Sequence, residues 1–134
     1  MIKKQQVVVF ADLFATAVKT FRFAIENTNT ELERDGTIQR FEYCFELCWK
    51  CLKLNFEYKG YKETKSLLSP RNVLKIAFRE DYFDNEDILL DMLEARNLTS
   101  HTYNERLADK VFAEFTKYLN AFEQILISLK KDLE

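Results

Sequence analysis

Glycine and proline are almost missing from this chain. Two Gly and one Pro in 134 residues compare with roughly 12% for the pair in an average protein. Sheet proteins need turn residues about every 8–12 positions, so a β-sandwich or barrel is excluded. Gly36 and Gly60 stand alone. Glycine-rich phosphate loops of the dinucleotide-binding and P-loop kinds are therefore excluded as well. Histidine is nearly absent too, so histidine-dependent chemistry must use His101 or a second copy of it from another subunit. One His and three Cys make a zinc site only if all four converge. Net charge is small, −2 from 20 basic and 22 acidic residues, with a pI near 5.6. That leaves no overall electrostatic footprint for nonspecific nucleic-acid binding.

No apolar run approaches the roughly 18 residues of a membrane span. Lys3 and Lys4 before Val7-Val8-Val9-Phe10 loosely resemble an export signal. Asp12 interrupts that run, however, and Phe10, Phe14, Ala17, Phe21 and Ile25 recur at helical spacing. An amphipathic first helix is the better reading, which predicts a cytoplasmic, membrane-free chain with reduced cysteines.

What is abundant is apolar surface at helical spacing: 47% apolar residues, 19 of them aromatic, in a chain sized for a single domain over residues 1–134. Leu107, Val111, Phe115, Tyr118, Phe122, Ile125, Leu129 and Leu133 share one face of a helix expected from about 104 to 132, with Asn104 as its N-cap. Phe112, Leu119 and Leu126 form a second line, spaced by seven. That face is wider than one neighbour needs, which predicts a central position in the bundle or burial against another subunit. A second long helix is expected from about 36 to 59, lined by Ile38, Phe41, Phe45, Trp49, Leu52 and Phe56 and ended by Gly60. The polar stretch Asn27 to Gly36 before it reads as a loop. Ser69 and Pro70 open a short third helix, and a fourth begins near Asp84. The predicted fold is all-α, an up-and-down four-helix bundle with an additional short helix.

Cys44, Cys48 and Cys51 form C-x3-C-x2-C, the spacing of an iron–sulfur cluster loop in radical enzymes. On a continuous helix, though, the three share one stripe with Phe41, Phe45 and Leu52, as small buried core residues do. The reading is a reduced, metal-free core stripe.

The segment Arg96-Asn97-Leu98-Thr99-Ser100-His101-Thr102-Tyr103 differs in character. Arg96 falls among Leu89, Met92 and Leu93, where a guanidinium needs a carboxylate, a backbone acceptor or an anionic ligand. Glu42 and Glu46, one turn apart beside the apolar stripe of the second helix, are the candidate partners. The plain interpretation is an internal Arg–Glu bridge, with His101 an ordinary polar residue at a helix junction. The functional one is a site. His can serve as acid or base near neutral pH, and Arg can hold a phosphate bidentately.

R-x4-H-x-Y at Arg96, His101 and Tyr103 resembles the signature of HEPN-superfamily helical bundles. Four blocks in order strengthen the likeness: Arg40-Phe-Glu-Tyr-Cys-Phe-Glu-Leu-Cys-Trp-Lys50, Ser69-Pro70-Arg71, Leu90-Asp-Met-Leu-Glu-Ala-Arg-Asn97 and Thr99-Ser-His-Thr-Tyr103. Together they resemble the nucleotidyltransferase substrate-binding protein family. That resemblance implies a homodimeric bundle whose partner is a separate catalytic nucleotidyltransferase. This chain then holds a substrate through Arg96, Asn97, His101, Tyr103, Glu42 and Glu46, while the partner holds nucleotide and Mg²⁺ and this chain needs no cofactor. It also implies an alternative, in which Arg96 and His101 are catalytic residues of a metal-independent ribonuclease toxin at a dimer cleft. RNA is then the substrate, and Tyr103 is the residue the partner modifies by adding a nucleotide. One His per chain cannot supply both an acid and a base, but two copies in a dimer can.

On a straight helix Arg96 and Tyr103 share a face while His101 points about 140° away from Arg96. A working site therefore predicts that the fourth helix ends or distorts between Leu98 and Thr102. Asn104 then caps the next helix, and Glu42 or Glu46 holds the guanidinium.

Overall fold

The computed structural model describes residues 2–62, 67–101 and 104–134. Among the described residues six α-helices follow one another: α1 (Lys4–Glu26), α2 (Glu31–Tyr58), α3 (Pro70–Arg79), α4 (Glu86–Leu98), α5 (Glu105–Phe112) and α6 (Phe115–Asp132). A 3-10 turn, Thr99–His101, joins the end of α4 to the segment before α5. No strand occurs among the described residues, and none of the helices there is long and apolar enough to cross a membrane.

α1 and α2 form an antiparallel hairpin, and α6 packs along α1 while also touching α4 and α2. The short α3 lies on α4, and α5 lies on α2. The periodic aromatics meet at the centre. Phe41 stacks on Phe115 and Tyr118 with ring centroids 5.0 and 5.5 Å apart. Phe21 meets Phe115 edge-on at 5.1 Å, and Phe14 meets Phe122 in the same way at 6.0 Å. Pairs of this kind contribute about 0.5–1.5 kcal/mol beyond the area they bury. Cys44, Cys48 and Cys51 are buried in the same core as free thiols, as their helical stripe predicts. Burial pushes the Cys51 thiol up to about 12.

Two expected boundaries are corrected. α2 begins at Glu31 rather than near residue 36, so most of the polar Asn27–Gly36 stretch is helical. Thr30 is the cap: its Oγ1 accepts from the Glu33 amide at 3.1 Å, while Glu33 Oε1 reaches back to the Asn29 amide at 2.9 Å. Thr30-x-x-Glu33 is a capping-box sequence, and it outweighs the local polarity and the helix-weakening Gly36. At the far end Gly60 follows the helix with φ +106°, the left-handed conformation that a Gly after a helix takes.

The second correction concerns the last helix, expected unbroken from 104 to 132. It divides at Ala113–Glu114 into α5 and α6. There the Glu114 amide bonds to the Val111 carbonyl, a tightened turn instead of a continued ladder. α5 and α6 serve different neighbours. α5 is tied to the start of α2 through Arg34, which bonds Asp109 at 2.8 Å and Glu105 at 3.0 Å, and α6 runs along α1. The apolar face survives the break, because Val111, Phe115, Tyr118, Phe122, Ile125 and Leu129 are all buried. Phe112, Leu119 and Leu126 are not an outward surplus, since they pack partly buried against the same core. The exposed large apolar residues lie mainly on α1 and α2 instead: Val9, Leu13, Phe23, Leu32 and Tyr43.

Candidate functional site

α4 ends at Leu98, within the stretch where the motif requires a break. Thr99 Oγ1 donates to the Arg96 carbonyl at 2.6 Å and Ser100 Oγ to the Asn97 carbonyl at 3.2 Å. These two hydroxyls satisfy acceptors that the end of the helix frees. After the turn, the Asn104 amide bonds to the His101 carbonyl at 3.1 Å. The Asn104 side chain caps α5, accepting from the Arg106 and Leu107 amides at 3.0 and 3.3 Å. A short polar sequence thus stops one helix, turns, and starts the next, leaving His101 exposed on the bend.

Arg96 occupies the last turn of α4, half-buried. Its Nη2 donates to Glu46 Oε1, its Nη1 reaches Asn97 Oδ1 at 3.5 Å, and the guanidinium lies 5.7 Å from the Phe45 ring centroid. Glu46 is shared, because its other oxygen accepts from the Trp49 indole at 3.2 Å and faces Lys50 at 3.7 Å. Of the two candidate carboxylates on α2, Glu46 is therefore the one that holds Arg96. Glu42 is half-buried one turn earlier and makes no ion pair among the described residues.

His101 borders a cavity of about 340 Å³ together with Arg71, Glu94, Asn97 and Leu98. Arg96 is not among the residues lining it. Asn97 is the link between the two, lining the cavity while touching the Arg96 guanidinium. Tyr103 lies outside the described residues, as does Thr102. Arg71 and Glu94 have no place in the R-x4-H-x-Y spacing. What brings Arg71 here is Ser69 as N-cap, accepting from the Asn72 amide at 3.2 Å, with Pro70 in the first turn of α3. Those residues form one of the matching blocks, but no spacing rule gives them a role at His101.

A larger groove of about 790 Å³ lies elsewhere, between α1 and α2. Ala17, Thr20, Ala24 and Gly36 are among its lining, with exposed Leu13, Phe23 and Tyr43 also bordering it. Among the described residues no group of three or more His, Cys, Asp or Glu is arranged to hold a metal ion.

The described residues form an all-helical bundle with an Arg/His turn closing α4. The model of the family described as nucleotidyltransferase substrate binding protein like matches residues 11–131, and the chain belongs to that family. A crystal structure of a protein from Thermus thermophilus superposes with a TM-score of 0.77 at 33% identity, covering 87% of this chain and 98% of that one. A Haemophilus influenzae structure, described as the fold of a substrate binding domain of a nucleotidyltransferase, shares the fold with a TM-score of 0.68. It is 20% identical over 96% of this chain and 99% of its own. A protein called probable ribonuclease HepT, also from Haemophilus influenzae, is 26% identical over 97 residues. That match covers 72% of this chain and 66% of the relative, a little under two thirds of its length.

Proposed function

We propose that this chain is the substrate-binding subunit of a two-component nucleotidyltransferase and works with a separate small catalytic protein. The observation that carries this reading is the family match across residues 11–131. The polar cavity beside His101, with Asn97 in its wall, gives the substrate a place to sit. In this division of labour the catalytic subunit holds the nucleotide and Mg²⁺, and this chain presents the acceptor. The balanced charge suits a subunit that binds one small substrate better than one that grips a polyanion. The test is coexpression with a small catalytic nucleotidyltransferase, which this reading expects the neighbouring gene to encode. Co-elution of the two proteins, and nucleotide transfer that needs both, is the expected result. A catalytic protein that never associates with this chain overturns the reading.

A second reading is favoured by the likeness to the probable ribonuclease. There His101 is the acid or base, Arg96 stabilises the charged phosphorane, and a homodimer supplies the second imidazole. Tyr103 is then the residue the partner modifies. Expression of this chain alone separates the two. Growth arrest that disappears with His101→Ala supports the ribonuclease, and healthy growth with intact RNA supports the binding subunit.

A further inference from the structure

The cavity at His101 is built from two helices and the turn between α4 and α5. Arg71 comes from the first turn of α3, Glu94, Asn97 and Leu98 from the last two turns of α4, and His101 from the 3-10 turn. The arginine of the sequence motif does not line it; its guanidinium lies against Glu46 and the Phe45 ring and reaches the cavity only through Asn97. One carboxylate, Glu46, already pairs with that guanidinium. Arg71 is in the opposite condition. It is exposed, lines the cavity, and makes no ion pair within 4.0 Å among the described residues.

We propose that Arg71, with His101 and Asn97, forms a phosphate-binding subsite whose ligand is a phosphate monoester carried by a hydroxylated sugar. The inference rests on reading the chain as a substrate-binding subunit and names the class of substrate. Three chemical facts support it. The planar fork of Arg matches two phosphate oxygens at once, and the ring N–H of His101 and the side-chain amide of Asn97 line the same cavity as further donors. Glu94 accepts hydrogen bonds and repels phosphate, so it orients the ligand with the phosphate toward Arg71 and its hydroxyl donors toward the carboxylate. The volume, about 340 Å³, is at the small end of ligand sites, which run from about 300 to 1,000 Å³. That suits a sugar phosphate or the ribose-phosphate end of a nucleotide.

His101 is the sole histidine, so its ring-proton NMR signal reports on this cavity without assignment. Ribose 5-phosphate and adenosine 5′-monophosphate are the free-ligand arms, ribose and inorganic phosphate the partial ones, and a 5′-phosphorylated tetraribonucleotide the polymer arm. The expected result is a saturable shift with ribose 5-phosphate that is weaker with inorganic phosphate and absent with ribose. Arg71→Ala should weaken that binding by roughly tenfold or more, the effect of losing a hydrogen bond between charged groups. Glu94→Gln should narrow the preference for the sugar phosphate over inorganic phosphate. Equal binding by wild type and Arg71→Ala overturns the proposal, and so does a wild-type signal that answers only to the tetranucleotide or to nothing. Co-elution with the catalytic subunit is measured on the same Arg71→Ala protein. If it persists while phosphate binding fails to depend on Arg71, the subsite falls and the substrate-binding reading stands.

Discussion

Buried polar side chains hold this bundle together at a few points, each with several partners. Arg34, 5% exposed, bonds Asp35, Glu105 and Asp109. Burial works against its charge, but the three carboxylates outweigh it and hold the guanidinium above its ordinary value. Arg34→Met keeps the stem and removes the fork. It should lower stability by about 1–3 kcal/mol in urea unfolding, with α5 loosening first in amide exchange. A second knot joins Asn55, Tyr82, Lys59 and Asp132. Asn55 donates to the Tyr82 hydroxyl and to Asp132, each at 2.9 Å, and Tyr82 itself donates to Asp132. Burial alone raises an acid, yet the hydrogen bonds from Tyr82, Asn55 and Lys59 leave Asp132 below its ordinary 3.8. A depressed carboxylate stabilises the fold above its unfolded value, and that contribution is lost as pH falls through the folded one. The stability gap between wild type and Asp132→Asn should therefore hold from neutral pH to about 4 and shrink below it. A gap that widens on acidification would contradict this assignment. The same residue-by-residue chemistry made part of the site legible. A guanidinium on an apolar face demands a carboxylate, and spacing narrowed the choice to Glu42 and Glu46. Only packing picks Glu46, where the Trp49 indole and Lys50 already gather. Arg71 was not legible as a site residue, because 30 residues of sequence separate it from His101 and no periodicity connects them.

Helices in this chain are drawn by periodicity but bounded by chemistry that periodicity does not see. The apolar stripes of α1, α2 and α6 give the fold class, and the stop at Leu98 follows from asking how Arg96 and His101 could belong to one site. The start of α2 escaped that approach. Thr30 and Glu33 cap it through side-chain bonds, eight and five positions before the buried apolar rhythm begins at Ile38. The α5–α6 break escaped it as well, since the stripe stays in phase across Ala113–Glu114 and only the separate attachments of the two helices divide them. Gly36 now stands inside α2 with nothing within 4 Å of where a Cβ would project. A helix-interior Gly costs about 0.5–1 kcal/mol relative to Ala. Gly36→Ala should therefore stabilise the isolated chain by about that amount, read as a higher urea midpoint with an unchanged slope. A loss of stability would mean that something approaches the backbone at Gly36 more closely than this chain alone does.

Gly36 borders the groove between α1 and α2, and the whole molecule is least complete there. Phe23 is 68% exposed and Tyr43 59%, both at its border, and Leu13 adds a third apolar side chain. Small residues, Ala17, Ala24 and Gly36, line the groove between them. Large side chains beside a hollow of small ones on one face meet the first requirement of a two-fold interface, in which the same patch is both knob and hole. Arg40 and Glu33, also lining the groove, offer opposite charges that a two-fold axis can pair. We therefore expect a homodimer at micromolar concentration through this face. Phe23→Asp and Tyr43→Asp should each convert it to a folded monomer, with helix content retained by circular dichroism and mass read by sedimentation. The choice of face bears on function. None of the groove's lining residues belongs to α3, α4 or the His101 turn. A dimer centred on the groove leaves each His101 with its own cavity and favours the binding subunit. A ribonuclease with one imidazole per chain needs the two turns brought together, and its dimer must form through α4. A wild-type monomer would refute the dimer outright. A dimer that survives both Asp substitutions but dissociates with a charge placed at Leu98 would move the interface to the His101 turn and shift the weight to RNA cleavage.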